Sequence, residues 1–271
     1  MVRLDDLRSC YDLIVHSAAS LSMQSQGMHQ APIVCMFTTL QDMIHRVSTS
    51  FGVSEQSFGG DLWVIPFTPP PQGVGQGNGA GPATWAVVST PVLNMMREQG
   101  FGAHFKLCMS GEDIRLVGFA FVDDSDLFQT ADDPRTSPWE VVAKAQGGLN
   151  AFVGGIEATG GQCRTDKDKS WWYLIEHQWK RGKWSYVYPD PDEEAEIDDP
   201  LHLTIDDIPI QRLAPDIAKK TLGVWLAPDG NNKKAVMEMT KQSQEWSERV
   251  RTGCVRRADA WVSFCTTIMK H

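Results

Sequence analysis

The chain has 271 residues, 34 acidic and 25 basic side chains, a net charge of −9, and 42% hydrophobic against 22% charged residues. This is the composition of a soluble globular protein with ample length for a core. No apolar stretch approaches the roughly 20 residues that span a bilayer, and the start, Met1 to Asp6, lacks the apolar core of a secretory signal. The cysteines, Cys10, Cys35, Cys108, Cys163, Cys254 and Cys265, never fall at a C-x-x-C spacing, which argues against a zinc or disulfide scaffold and for a reduced intracellular location, nucleus or cytoplasm.

The first 60 residues alternate helical and broken stretches. Leu13, Ile14, Ala18 and Leu21 form one expected amphipathic face, and Val34, Phe37, Leu40, Met43 and Ile44 a second. His16 and His45 fall on these predicted helices as ordinary surface residues. Gly59-Gly60 then leads into a strand signal, Leu62 to Ile65, and into Pro69-Pro70-Pro71. Residues 72–82 are the most glycine-dense segment, and a helix is predicted from Ala83 to Glu98, opening at Pro82.

Residues 104–110 and 114–122 read as two strands around the turn Ser110-Gly111-Glu112-Asp113, the second running into Asp123-Asp124. An amphipathic helix is expected from Pro138 to Thr159, closed by Gly160-Gly161. A hairpin is expected from Trp171 to Tyr188, turning at residues 180–183, with its tryptophans as cross-strand pairs and core. Residues 189–200 form an acidic loop with seven acids and no base. Residues 201–271 carry a local excess of base, with Arg249, Arg251, Arg256 and Arg257 clustered, and a long helix is predicted from Lys233.

Three patterns carry chemistry. Asp6 lies at an expected strand end, five residues before Tyr11. Gln76-Gly77-Asn78-Gly79-Ala80-Gly81-Pro82 precedes a helix, where glycine lets backbone approach a ligand closely. It is not a Walker loop, because no Gly-Lys-Ser/Thr follows. Phe121-Val122-Asp123-Asp124 ends an apolar strand with two acids. Alone, each is weak: such acids are commonly solvated caps or turns. Together they would bring three carboxylates to one sheet edge. Such a cluster needs cations to stay ionised, and hard oxygen ligands select magnesium or manganese. Two shared ions of this kind serve phosphoryl transfer on nucleic acids.

In this arrangement the chain resembles the palm of a reverse transcriptase of the non-LTR retroelement kind. Asp6 to Asp12, with its Asp-x-x-x-Cys-Tyr-Asp pattern, looks like motif A. Gln76-Gly77 with Gly81-Pro82 looks like motif B, and Phe121-Val122-Asp123-Asp124 like motif C. Gly160-Gly161 with Asp168-Lys169-Ser170 is similar to motif D, and Lys220-Thr221-Leu222-Gly223-Val224 to motif E, so the five run in order from residue 6 to 224. The resemblance implies an α+β fold, a polymerase palm with a small antiparallel sheet packed on helices, over residues 1–230, and a partial helical thumb over 231–271. It implies RNA-directed DNA polymerase activity with two Mg²⁺ (or Mn²⁺) ions held by Asp6, Asp123 and Asp124.

Tyr11 would then gate the sugar of the incoming nucleotide, Gln76 and Gly77 would contact that nucleotide, and Lys169 (Lys167 in reserve) would protonate the pyrophosphate. The implied partners are an RNA template, a DNA primer and deoxynucleoside triphosphates, with no membrane. Family members carry a fingers subdomain upstream of motif A, so the resemblance implies a fragment of a retroelement polyprotein. The alternative is a folded, inactive remnant that binds at most nucleic acid or a protein partner.

Overall fold

The computed structural model describes residues 1–4, 7, 11–59, 72–75, 78–121, 123–133, 135–166, 169–188, 201–221, 223–253 and 256–267. The expected strand at Leu62–Ile65 and the acidic stretch 189–200 lie outside them. The fold is mixed α+β. Two compact units emerge: one from the described residues within Met1–Trp172 and Ile197–Gln211, the other from those within Tyr173–Glu196 and Arg212–His271.

The first unit opens with β1 (Val2–Leu4), α1 (His16–Ser25), α2 (Gln30–Gln41) and the ribbon β2 (Ile44–Thr49) and β3 (Gly52–Gly59). Then come α3 (Gly81–Glu98), β4 (Ala103–Lys106), β5 (Asp113–Leu116), β6 (Gly118–Phe121), β7 (Asp124–Leu127), α4 (Pro138–Ala158) and β8 (Ser170–Tyr173). After the ribbon β9 (His177–Lys180) and β10 (Lys183–Tyr186), the chain returns as β11 (Leu203–Ile205) and β12 (Ile208–Leu213). The six-stranded sheet has the order β11-β12-β8-β1-β7-β6. β1 is antiparallel to both β7 and β8, and β6 is antiparallel to β7. The succession β1-α3-β6-β7-α4-β8 with order β8-β1-β7-β6 is a split β-α-β arrangement.

The core lies between sheet and helices. Val2 and Leu4 on β1 and Leu127 on β7 alternate inward, as a half-buried strand requires. Trp85, Val88, Val92 and Met96 repeat on one side of α3, and Leu149, Phe152, Val153 and Ile156 on one side of α4. The two helices meet closely: a methyl at Gly155 would stand 2.6 Å from Val92 Cγ1. The Ser137–Glu140 capping box starts α4, and Gly160, with φ +94°, ends it. Gln146 on α4 binds the edge strand from both sides of its amide, donating to the Thr204 carbonyl at 2.9 Å and accepting from the Thr204 amide at 2.8 Å.

Several sequence expectations change. The buried side of α1 is His16, Ala19 and Met23, whereas Leu21 is exposed. α2 ends at Gln41, so Ile44 and His45 belong to β2 and not to a helix. The expected strand 114–122 is two strands. β5 pairs with β4, the chain breaks at buried Val117, and β6 starts the pairing with β7. Gly118 permits the close crossing there, because a Cβ would collide with the carbonyl oxygen of Asp126. Trp171 and Trp172, each 2% exposed, are core residues of β8; the hairpin begins only at His177.

In the second unit, β13 (Lys219–Thr221) and β14 (Val224–Leu226) form a tight hairpin around Gly223, φ +88°. α5 (Lys233–Thr252) and α6 (Arg257–Thr267) follow. They are tied by Trp246 Nε1 donating to Ser263 Oγ at 3.1 Å and by the Trp246–Phe264 rings. Arg249, Arg251, Arg256 and Arg257 are all exposed, and Arg256 pairs with Asp259 at 2.9 Å. No helix among the described residues is long and apolar enough to cross a membrane.

Candidate active site

Leu4 at the end of β1 lies opposite Ser125 on one side and Ser170 on the other. Because both neighbours run antiparallel to β1, its C-terminal end shares one sheet edge with the N-terminal ends of β7 and β8. The β6–β7 turn presents Asp123 and Asp124 on that edge, and Lys169 immediately precedes β8. Two strand spacings, about 10 Å, separate the starts of β7 and β8. The backbone amide of Leu7 donates to the Asp123 carbonyl at 3.0 Å, so the residue after Asp6 touches the acidic turn. Asp6 itself, Gln76, Gly77, Lys167 and Asp168 lie outside the described residues.

Asp123 and Asp124 are both partly exposed, and Phe121, directly opposite Asp124, is 60% exposed. Lys169 sits in the turn that opens β8, where its amide and that of Ser170 both donate to the Asp166 carbonyl, at 2.8 and 3.0 Å.

The segments around Tyr11 and the glycine-rich stretch are zipped together. Gly73 N donates to Ile14 O and Val74 N to Tyr11 O, each at 2.8 Å. Gly73 (φ +85°) has no substitute here, because a Cβ would run into the backbone of Asp12. The Tyr11 ring packs on the first turn of α3, 3.5 Å from where a Cβ on Gly81 would stand. Asn78 shapes the approach to that turn, its side chain accepting from Ala80 N at 3.0 Å and its carbonyl from Gly81 N at 3.0 Å. The end of α4 is fastened to the same region by Val15 N donating to Thr159 O at 2.9 Å.

His16 is the residue that sequence reasoning misread. It is 5% exposed, and its ring Nε2 donates to the Gly73 carbonyl at 2.6 Å while Nδ1 accepts from Gln41 Nε2 at 3.1 Å. Its amide donates to Gln72 Oε1 at 2.9 Å, and its ring lies 4.7 Å from that of Phe37. His16 therefore holds residues 72–75, the lead into Gln76. Nothing local in the sequence marks it, because these partners are 21 to 57 residues away.

The arrangement thus joins the chain after Asp6, the Asp123–Asp124 turn and Lys169 on one sheet edge, and separately joins Tyr11 to Gly81. Among the described residues, no group of three or more His, Cys, Asp or Glu is spaced to hold a metal ion. Asp123 and Asp124 provide two adjacent oxygen donors, a set that suits magnesium or manganese and not a softer metal. No protein-family model matches the chain, and no curated protein matches it.

Proposed function

We propose that this chain is a reverse-transcriptase-type palm that adds deoxynucleotides to a primer end on an RNA template. The observation that carries the reading is the Leu7–Asp123 backbone bond at 3.0 Å, which joins the strand leading to Asp6 to the Asp123–Asp124 turn. The strand order β8-β1-β7-β6, with two helices crossing between its members, supports it further. So do the Tyr11–Gly81 packing and the tight β13–β14 hairpin in the motif E stretch.

In the proposed reaction the primer 3′-oxygen forms a bond to the α-phosphorus of the incoming triphosphate, and the bond from that phosphorus to the bridging oxygen breaks. The hydroxyl proton passes to solvent, and Lys169 gives a proton to the departing pyrophosphate. Asp123 and Asp124, with Asp6, would hold two divalent ions, whose chemistry is charge neutralisation on the reacting phosphates. Tyr11, resting on the start of α3, limits the room beside the sugar. Gln76 and Gly77 meet the nucleotide from the glycine-rich side. The protein's own contribution is chiefly positioning.

The test is primer extension on an RNA template with Mg²⁺ or Mn²⁺, alongside Mn²⁺ binding followed by water-proton relaxation. Asp123→Asn is expected to lower extension by about 10³-fold or more and to weaken Mn²⁺ binding, with circular dichroism unchanged. Extension that survives Asp123→Asn sinks the assignment. A chain that neither extends primers nor binds Mn²⁺ fits the inactive remnant.

A further inference from the structure

We propose that His16 is the positioning residue for Tyr11, and that through Tyr11 it sets how far deoxynucleotides are preferred over ribonucleotides. The preference rests on the polymerase reading above; the coupling of the two residues rests on the backbone between them.

That coupling runs through one rigid unit. The Gly73 carbonyl and the Val74 amide belong to the same planar peptide, whose two ends cannot turn independently. His16 Nε2 donates to the carbonyl end at 2.6 Å, and the amide end donates to the Tyr11 carbonyl at 2.8 Å. A carbonyl only accepts, so Nε2 carries the ring proton and Nδ1 accepts from Gln41 Nε2 at 3.1 Å. Turning this peptide breaks the bonds at His16 and at Tyr11 together.

The peptide needs holding. Gly73 (φ +85°) has no side chain to restrict it, and its ψ is one of the two torsions that turn the 73–74 plane. Its own amide is tied to the Ile14 carbonyl at 2.8 Å, which leaves the far side of the residue for His16 to fix. Gln72 Oε1 in turn accepts from the His16 amide at 2.9 Å, serving the first turn of α1 where Val15 offers no side-chain cap. Gly73 and Val74 are buried, His16 is 5% exposed and the Phe37 ring lies beside it, so little water reaches the Gly73 carbonyl to replace the imidazole. At the other end, the Tyr11 ring rests on the first turn of α3, 3.5 Å from where a Cβ on Gly81 would stand. With its carbonyl released, the ring loses the backbone anchor that keeps it against α3, and the space beside the sugar widens.

The experiment uses the full chain and two readouts. The first is the ratio of kcat/KM for dATP over ATP in single-nucleotide extension on an RNA template. His16→Ala is expected to lower that ratio about tenfold through readier ATP addition, and His16→Gln, whose amide donates to the same carbonyl, to stay within about threefold of the parent. Tyr11→Ala lowers the ratio further, and adding His16→Ala to it changes nothing more, because both act at one point. The second readout is the fluorine NMR spectrum of the chain with 3-fluorotyrosine at its four tyrosines, the Tyr11 line identified by Tyr11→Phe. His16→Ala should move that line and His16→Gln restore it. Gln41→Ala, at the half-buried end of α2, loosens the imidazole without removing it. It should move the same line and lower the ratio about threefold, which keeps the test decisive where His16→Ala fails to fold. Equal losses with dATP and ATP, additive effects of Tyr11→Ala and His16→Ala, or an unmoved Tyr11 line overturns the proposal. A parent chain that extends no primer defeats the polymerase reading instead, and the Tyr11 line then decides the coupling by itself.

Discussion

Pro91 lies inside α3, and its ring nitrogen carries no hydrogen, so the carbonyl of Val87 has no donor from its own helix. α1 and its C-cap supply two: Ser22 Oγ donates to it at 2.7 Å and Gln26 Nε2 at 2.8 Å. Replacing Ser22 and Gln26 with alanine removes both. A hydrogen bond contributes about 0.5–1.5 kcal/mol net, and the Ser22 bond is partly buried while the Gln26 bond is reached by water. The expected loss is about 1–2 kcal/mol, or about 3–6 °C in Tm. In a Pro91→Ala background the helix regains its own donor to Val87, and the same pair of substitutions should cost about 0.5 kcal/mol or less. A double-mutant cycle by urea denaturation therefore reads a coupling of about 1 kcal/mol. Equal losses in the two backgrounds would refute the carbonyl accounting.

Three further outcomes follow from the geometry. Gly118→Ala drives a methyl into the Asp126 backbone, which cannot rotate away; a loss of about 2 kcal/mol or more and a disturbed Asp123–Asp124 turn are expected, and denaturation unaltered from the parent would show that the strands can part freely. Ser137→Ala should lower Tm by about 3 °C at neutral pH. Hydrogen bonds from the Ser137 amide and hydroxyl hold the Glu140 carboxyl below its ordinary 4.5, so this contribution is full above that pH and is lost as pH falls through the depressed value. A Tm difference that does not shrink in acid counts against it. Burial, with Glu157 and Asp206 adding, pushes the Cys163 thiol up to about 12, so iodoacetamide at neutral pH should label exposed Cys35 and Cys108 first and Cys163 only after unfolding, as peptide mass spectrometry would read. Because the unfolded thiol ionises near 9, this group's stabilising contribution is present below that pH and declines as pH rises towards 12.

Local patterns made much of this protein legible. The start of α3 beside Pro82, the course of α4 from Pro138 to Ala158, the closing Gly160 and the helix from Lys233 follow from caps, prolines and periodicity that act within a few residues. The order of the acidic and glycine-rich patterns was likewise visible, because it is a property of the chain alone. Sequence could not say that the strand 114–122 breaks at Val117. Its apolar run suits one long strand, and only competition between β4 and β7 for pairing divides it. Nor could it separate Trp171 and Trp172, buried in β8, from Trp179 and Trp184, exposed on a ribbon; all four have the same local preference, and burial depends on what lies across the sheet. The contact of Leu7 with Asp123 and the seat of His16 under Gly73 join residues 116 and 57 positions apart. The sequence by itself determined the helices α3, α4 and α5 and the supply of carboxylates. Which of them meet at one sheet edge was decided by the antiparallel order around β1, since hydrogen-bond partners so distant are chosen by packing and not by neighbours in the chain.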